Sequence, residues 1–177
     1  DSFTISFYKW LEKLGIPYSL KVSATRIQTT TISQISFLER GATMGGVGLA
    51  PADVGFGVSQ IIPILACGLM DYERIVVEEP EVHLHPKLQA ELGDFFIETC
   101  SPKQQWIIES HSENLLLRLL RRIREGKIRP EQLCVLYVER NDSESTIKEL
   151  RVDSDGTFLD EWPNGFFEEG LQDLLGL

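Results

Sequence analysis

Long apolar runs are missing from this 177-residue chain. None approaches the roughly 18–20 residues that a membrane-spanning helix needs, so no membrane partner is expected. Cysteine is scarce: Cys67, Cys100 and Cys134 lie far apart, form no Cys-x-x-Cys pair and sit in or beside apolar segments. That pattern argues against a disulfide framework or a thiolate zinc site and fits buried, reduced thiols in a cytoplasmic protein. A basic surplus is missing too. The 17 Lys and Arg stand against 27 Asp and Glu, a net charge of −10, the wrong balance for a general nucleic-acid binder. The opening stretch, DSFTISFYKWLEKLG, begins without Met and has no basic segment leading into an apolar run, so no secretory leader is visible.

What is present reads as an ordinary globular chain, 42% hydrophobic and 25% charged. Phe7, Trp10, Leu11 and Leu14 recur at helical spacing, predicting a helix over 3–14 that Gly15-Ile16-Pro17 stops. Between Tyr18 and Leu38 the partial alternation predicts two strands, an antiparallel pair. Residues 41–57, GATMGGVGLAPADVGFG, are dense in glycine and read as a loop. A helix over about Val58–Met70 is apolar nearly all round and is expected to be buried.

From there strands and helices alternate. The short apolar run Ile75–Glu78 suits a buried parallel strand. Pro86 opens a helix whose face carries Leu88, Leu92, Phe95, Phe96 and Thr99. Gln105–Glu109 predicts a second buried strand, 113–124 a helix with Leu115, Leu116, Leu119, Leu120 and Ile123 inward, and Gln132–Glu139 a third parallel strand. Thr146–Val152 and an Asp155-Gly156 turn add a strand and hairpin, and WPNGFFEEGLQDLL ends in a short amphipathic helix. The expected class is α/β, built on a parallel sheet.

Three features fall at the ends of these elements where open α/β sheets place their ligands. A glycine loop, Gly55-Phe56-Gly57-Val58-Ser59-Gln60, opens a helix. Two carboxylates, Glu78 and Glu79, end a strand in RIVVEEPEVHLHP. His111 ends the next strand. Phosphoryl transfer asks for such parts: an acid for magnesium, a second to polarise water, backbone N–H groups at a helix N-terminus, and a donor on the γ-phosphate.

The order of these motifs resembles the C-terminal half of an ABC-class P-loop ATPase, in the branch with SMC proteins, RecF, RecN and the OLD (overcoming lysogenization defect) ATPases. The resemblance covers about 54–115, and EPEVHLHP is especially similar to the OLD-like prokaryotic ATPases. It implies that Glu78 holds the Walker B position that organises Mg²⁺, a Glu where the family usually has Asp. It further implies that Glu79 is the catalytic base toward water, that His85 lies on the D-loop where many members have Asp, and that His111 is the switch histidine on the γ-phosphate of ATP. The position the family gives to its signature serine falls on Gly55. Gly57 then aligns with the second signature glycine, whose N–H faces the phosphate of the opposite subunit, and Ser59 is displaced from the serine's place. The tail, with Trp-Pro-x-Gly-Phe-Phe, resembles an uncharacterised C-terminal module carried by some of these ATPases.

One part of such a site is absent: no G-x-x-x-x-G-K-[ST] occurs anywhere. The expectation is a truncated chain or one half of a split protein, nearly inactive alone, whose P-loop comes from elsewhere. Residues 1–53 are then the helix, β segment and glycine loop of the ATPase domain, 54–140 its signature-to-switch core, and 141–177 a C-terminal extension. The implied partners are a second copy or a P-loop-bearing subunit, with DNA or a nuclease effector beyond, in repair or phage defence.

Other readings compete. The two acids alone could be a charged strand end, and His111 a structural histidine. His83-x-His85 with Glu79 and Glu81 could ligate a transition metal. The run Arg118, Arg121, Arg122, Arg124, Lys127 and Arg129 is most simply a solvated face, with contact to DNA or an acidic subunit as the alternative. Trp162–Phe167 is core packing or an exposed interaction patch. A Ser-His-Asp hydrolase lacks its G-x-S-x-G elbow, and LYVERND lacks the later acidic motifs of a Toprim nuclease. The competing class is a non-catalytic interaction module derived from such an ATPase.

Overall fold

The computed structural model describes residues 2–40, 48–141 and 144–162. The first of its two units, Asp1–His111, begins with α1 (Ser2–Lys13), which buries Phe7, Trp10 and Leu11. The helix ends in a left-handed residue, Gly15 at φ +67°. There the Ile16 N–H donates to Leu11 O at 2.8 Å and the Gly15 N–H to Glu12 O at 2.9 Å. These two bonds satisfy carbonyls that a helix end leaves open.

Strands β1 (Tyr18–Ile27) and β2 (Thr30–Glu39) form the expected antiparallel hairpin, in register from Tyr18↔Glu39 to Ile27↔Thr30. Its base is anchored by Phe37, which is buried and meets Tyr18 edge-on. Its far half stands in solvent, with Val22, Ile27, Ile32 and Ile35 exposed. Residues 41–47 of the glycine loop lie outside the described residues.

Helix α2 (Phe56–Gly68) starts two residues earlier than the periodicity suggests. Gly55, at φ +85° and ψ 144°, turns the chain into it, a conformation open essentially to glycine alone. Burial all round is not what the helix shows: Ile61, Ile62, Ile64 and Leu65 are buried, whereas Phe56 is 77% exposed. Its apolar composition over-predicts burial because only one face meets other elements.

Strands β3 (Arg74–Glu78) and β4 (Gln105–Glu109) pair in parallel, joined by α3 (Pro86–Thr99). Phe95 and Phe96 of α3 pack on Trp106 of β4, and Trp10 meets Phe95 edge-on at 5.1 Å. The expectation of two buried strands is half right. Ile75, Val77, Trp106 and Ile108 face the helices, but Val76 is 65% and Ile107 45% exposed on the opposite face. Within this unit α2 and α3 cover one side of the sheet, so alternate residues face outward.

The second unit, Ser112–Leu177, begins with α4 (Glu113–Arg124), which buries Leu115, Leu119, Leu120 and Ile123. The expected third parallel strand is corrected here: β5 (Val135–Asn141) finds its ladder partner in β6 (Glu144–Leu150), antiparallel. A hairpin neighbour offers local pairing that a crossover strand does not. Beyond it, the Asp153–Thr157 turn closes beneath α4. The bare Cα of Gly156 permits this approach, since a Cβ there would lie 2.3 Å from Leu120 O. The tail from Pro163 on, with Phe167 and the expected amphipathic helix, lies outside the described residues. The cysteines are free, but Cys100 and Cys134 are exposed, because one caps α3 and the other precedes β5. No helix among the described residues is long and apolar enough to cross a membrane.

Candidate functional site

The parallel register sets Glu78 beside Glu109 at the carboxyl ends of β3 and β4. Both side chains are on the open face and exposed. The Glu79 N–H donates to Glu109 O at 2.8 Å, continuing the ladder one step. Glu79 itself is left-handed, at φ +43°, an uncommon and strained state for a residue with a Cβ. This twist takes the chain out of the strand, and Pro80 behind it is fully buried.

The turn after Glu79 is held from several sides. Val82 and Leu84 N–H groups donate to Glu79 O and Glu81 O at 3.2 and 3.0 Å. Gln60 of α2 donates its amide to Glu79 O at 3.2 Å, and Gln89 of α3 donates to Leu84 O at 3.0 Å. His83 is also left-handed, at φ +61°, and its ring stands 5.2 Å from the exposed ring of Phe56. His85 caps α3, its Nδ1 accepting from the Lys87 N–H at 3.2 Å.

His111 follows the end of β4 and comes to the acids. Its Nε2 lies 3.6 Å from Glu79 Oε1, with both side chains half or more exposed. That separation is too long for a direct hydrogen bond and leaves room for a shared water, which can donate to the carboxylate and accept from the imidazole N–H. The His111 N–H donates to Glu81 Oε1 at 2.7 Å, and Glu81 is only 6% exposed.

The glycine segment adjoins the same turn. A Cβ on Gly57 would lie 2.6 Å from His83 O, so only glycine lets the start of α2 approach this closely. A Cβ on Gly55 would meet nothing within 4 Å. Ser59 gives its hydroxyl to Pro51 O at 2.5 Å and Gly55 O at 3.3 Å. Its donor is turned onto its own loop.

Glu78, Glu79, His111, Gly57 and His85 therefore lie around one strand-end turn, with Ser59 tied to the loop behind it. Sequence reasoning passes over one acid, Glu109, and misses the place of a second, Glu81. Glu109 repeats on β4 the position of Glu78 on β3, a signal available in the paired strings VVEE and IIES. Glu81 enters that reasoning only as a metal neighbour. The metal centre of His83, His85, Glu79 and Glu81 does not assemble: among the described residues no three His, Cys, Asp or Glu converge to hold an ion. His85 caps a helix, and Glu81 faces inward. The arginine run is a face with local partners: Arg121 and Arg122 pair with Glu125, and Arg124 donates to Asp155 O. Hydrogen bonds from Arg122, then Arg121, hold the Glu125 carboxyl below its ordinary range.

Residues 7–116, more than half of the chain, match the family model described as AAA ATPase domain. The chain belongs to the AAA ATPase domain family. Residues 128–177 match a second model, described as protein of unknown function (DUF3696). Among solved structures, this AAA ATPase domain is similar to one from work on the structural biochemistry of ATP-driven dimerization and DNA-stimulated activation of SMC ATPases. The TM-score is 0.56 at 11% identity, over 84% of this chain and 83% of that one. A second, the SmcHead bound to the C-winged helix domain of ScpA, gives a TM-score of 0.61 at 11% identity, over 85% of this chain and 43% of that one. At this identity the likeness is one of fold: the chain has the α/β fold of an SMC ATPase head, of the ABC class. A comparison with curated proteins returns no significant match.

Proposed function

We propose that this AAA ATPase domain carries the hydrolytic half of an ATP site, completed by a P-loop from a longer protein or a partner. The observation that carries the reading is the facing of Glu79 and His111 across 3.6 Å at the ends of two parallel strands. Glu79 accepts the proton of the attacking water, and His111 donates to the γ-phosphate. The first N–H groups of α2, around Gly55 and Gly57, point out of the helix unpaired by its own ladder and suit a phosphate held by an opposing subunit. Ser59, with its hydroxyl on Pro51 O and Gly55 O, contributes to the loop's shape. His85, at the start of α3, lies where a D-loop would meet that subunit.

The donor set fits Mg²⁺. Glu78 and Glu109 are like charges side by side on adjacent strands, an unfavourable pairing that a cation relieves. Magnesium prefers one or two carboxylates plus waters and phosphate oxygens over an all-protein cage. When bound, it neutralises charge developing on the phosphates. Glu78 and Glu109 would hold it through its waters, leaving Glu79 free to act on the nucleophile.

An ATP-driven dimer linked to DNA is the biological setting we favour, in repair or phage defence. The SMC ATPases of similar fold, with their ATP-driven dimerization and DNA-stimulated activation, support that choice. The test is turnover of the protein that includes the P-loop. Glu79→Gln should abolish hydrolysis, retain ATP binding and stabilise the ATP-bound dimer. Turnover unchanged by that substitution overturns the proposal.

A further inference from the structure

Three acids lie within Glu78–Glu81, and only Glu81 is out of solvent, at 6% exposure. Burying a carboxylate is unfavourable unless hydrogen bonds compensate. Glu81 Oε1 accepts one short bond, from the backbone N–H of His111 at 2.7 Å. Bonds of an N–H to an ionised acceptor are among the stronger ones in proteins. The Oε2 atom is equally removed from solvent and takes no donor among the described residues. A leucine would fill such a place without the carboxylate's burial. Sequences that break the rule of satisfied buried polar groups tend to do so where function requires it.

The bond joins residues thirty positions apart. Together with Glu79 N–H to Glu109 O at 2.8 Å, it cross-links the segments 79–81 and 109–111 on both sides of the facing Glu79 and His111 side chains. The backbone of Glu81 is fixed in turn, its carbonyl accepting from the Leu84 N–H at 3.0 Å. We infer that Glu81 is a positioning residue: it holds the main chain of His111 so that the imidazole faces Glu79. Its effect on turnover rests on the hydrolytic reading of that pair. Glu81 touches no reacting group and acts through the geometry it imposes.

The test compares Glu81→Leu, which fills the volume without an acceptor, with Glu81→Gln, which keeps an oxygen for the His111 N–H. In the P-loop-complete protein, Leu should lower kcat by about tenfold to a hundredfold, the scale of a small misplacement of a catalytic group. KM for MgATP should stay within about twofold, and Gln should restore kcat to within about threefold of wild type. In NMR spectra of the wild type, the His111 amide proton should resonate downfield of unbonded amides, moving upfield in Leu and staying in place in Gln. Wild-type kcat in Leu, a Gln variant no better than Leu, or an unbonded His111 amide in the wild type overturns the inference. Should Leu not fold, the wild-type resonance and the Gln variant decide. Glu79→Gln is run beside them: undiminished turnover there sinks the hydrolytic reading, while the amide resonance still decides whether Glu81 holds His111.

Discussion

Glu79 and His111 face each other across 3.6 Å although thirty-two positions separate them in sequence. Two adjacent parallel strands that end level bring them together. Both side chains are substantially exposed, so the pair contributes little to stability in water. Replacing His111 with Ala should therefore leave the thermal midpoint nearly unchanged. In the P-loop-complete protein it should lower kcat by about 10²–10⁴-fold, the range for losing one proton-handling or charge-stabilising group. Steady-state kinetics and a melting curve on the same sample check both halves of that expectation.

Gly57 and Gly55 are both needed, for different physical reasons. A Cβ on Gly57 would lie 2.6 Å from His83 O and 3.1 Å from Leu84 Cδ2. The first is backbone, fixed within the turn that carries Glu79, so Gly57→Ala should destabilise by about 1–3 kcal/mol. Gly55 has open space around it but a φ of +85°, so Gly55→Ala should cost a similar amount, about 1–3 kcal/mol, through backbone strain alone. Urea titration gives the losses and amide shifts separate the causes. Gly57→Ala should move the His83 and Leu84 resonances, and Gly55→Ala should leave them in place.

The sequence was most readable where local chemistry decides the structure. The bounds of α4 follow from its apolar repeat, and β4 runs over the same five residues that its apolar string marks. The meeting of Glu79 with His111 was equally legible, because level parallel strands put their ends together. Burial of β3 and β4 was not, since VV and II runs look the same whether one face or both are covered. The partner of β5 was a choice between a hairpin and a crossover that its own residues do not encode. The tie from Glu81 to His111 escaped notice for a stronger reason. The partner of Glu81 is a backbone N–H far along the chain, and no side-chain pattern announces such a bond.

Acid should weaken the second unit through Asp160. Hydrogen bonds from the Arg151 guanidinium, then the Arg151 N–H, hold its carboxyl at about 2, below the ordinary 3.8. Because the folded value is depressed, this contribution is fully present above 3.8 and is lost as pH falls toward about 2. Thr157 similarly lowers Asp155, its hydroxyl acting most strongly. Arg151→Met should return the Asp160 midpoint toward 3.8 in a carboxylate-detected NMR titration. The stability difference between the two proteins should be visible at neutral pH and vanish near the lower value. An unmoved Asp160 midpoint in the variant would show that the pair does not form in solution.

Gly68 sets helix propensity against packing. Alanine is better than glycine inside a helix by about 1 kcal/mol, so propensity alone favours Gly68→Ala in α2. Packing opposes it: a Cβ there would lie 2.5 Å from Phe95 Cζ and 2.7 Å from Trp106 Cζ2. Neither ring can easily withdraw. Phe95 is fully buried against Trp10, and Trp106 lies tilted against Phe96 and donates its Nε1–H to Thr99 Oγ1 at 3.0 Å. The Gly68 carbonyl is itself held by Gln104 at 2.8 Å, so the helix end cannot shift without breaking a buried bond. Overpacking at about 1–3 kcal/mol should outweigh that gain, leaving Gly68→Ala less stable by up to about 2 kcal/mol. If the clash is the cause, Phe95→Leu in the same chain should make room for the new methyl, and the double variant should lose less than the sum of the two singles. Strict additivity in urea denaturation would mean instead that Gly68→Ala acts on the backbone and not on the rings.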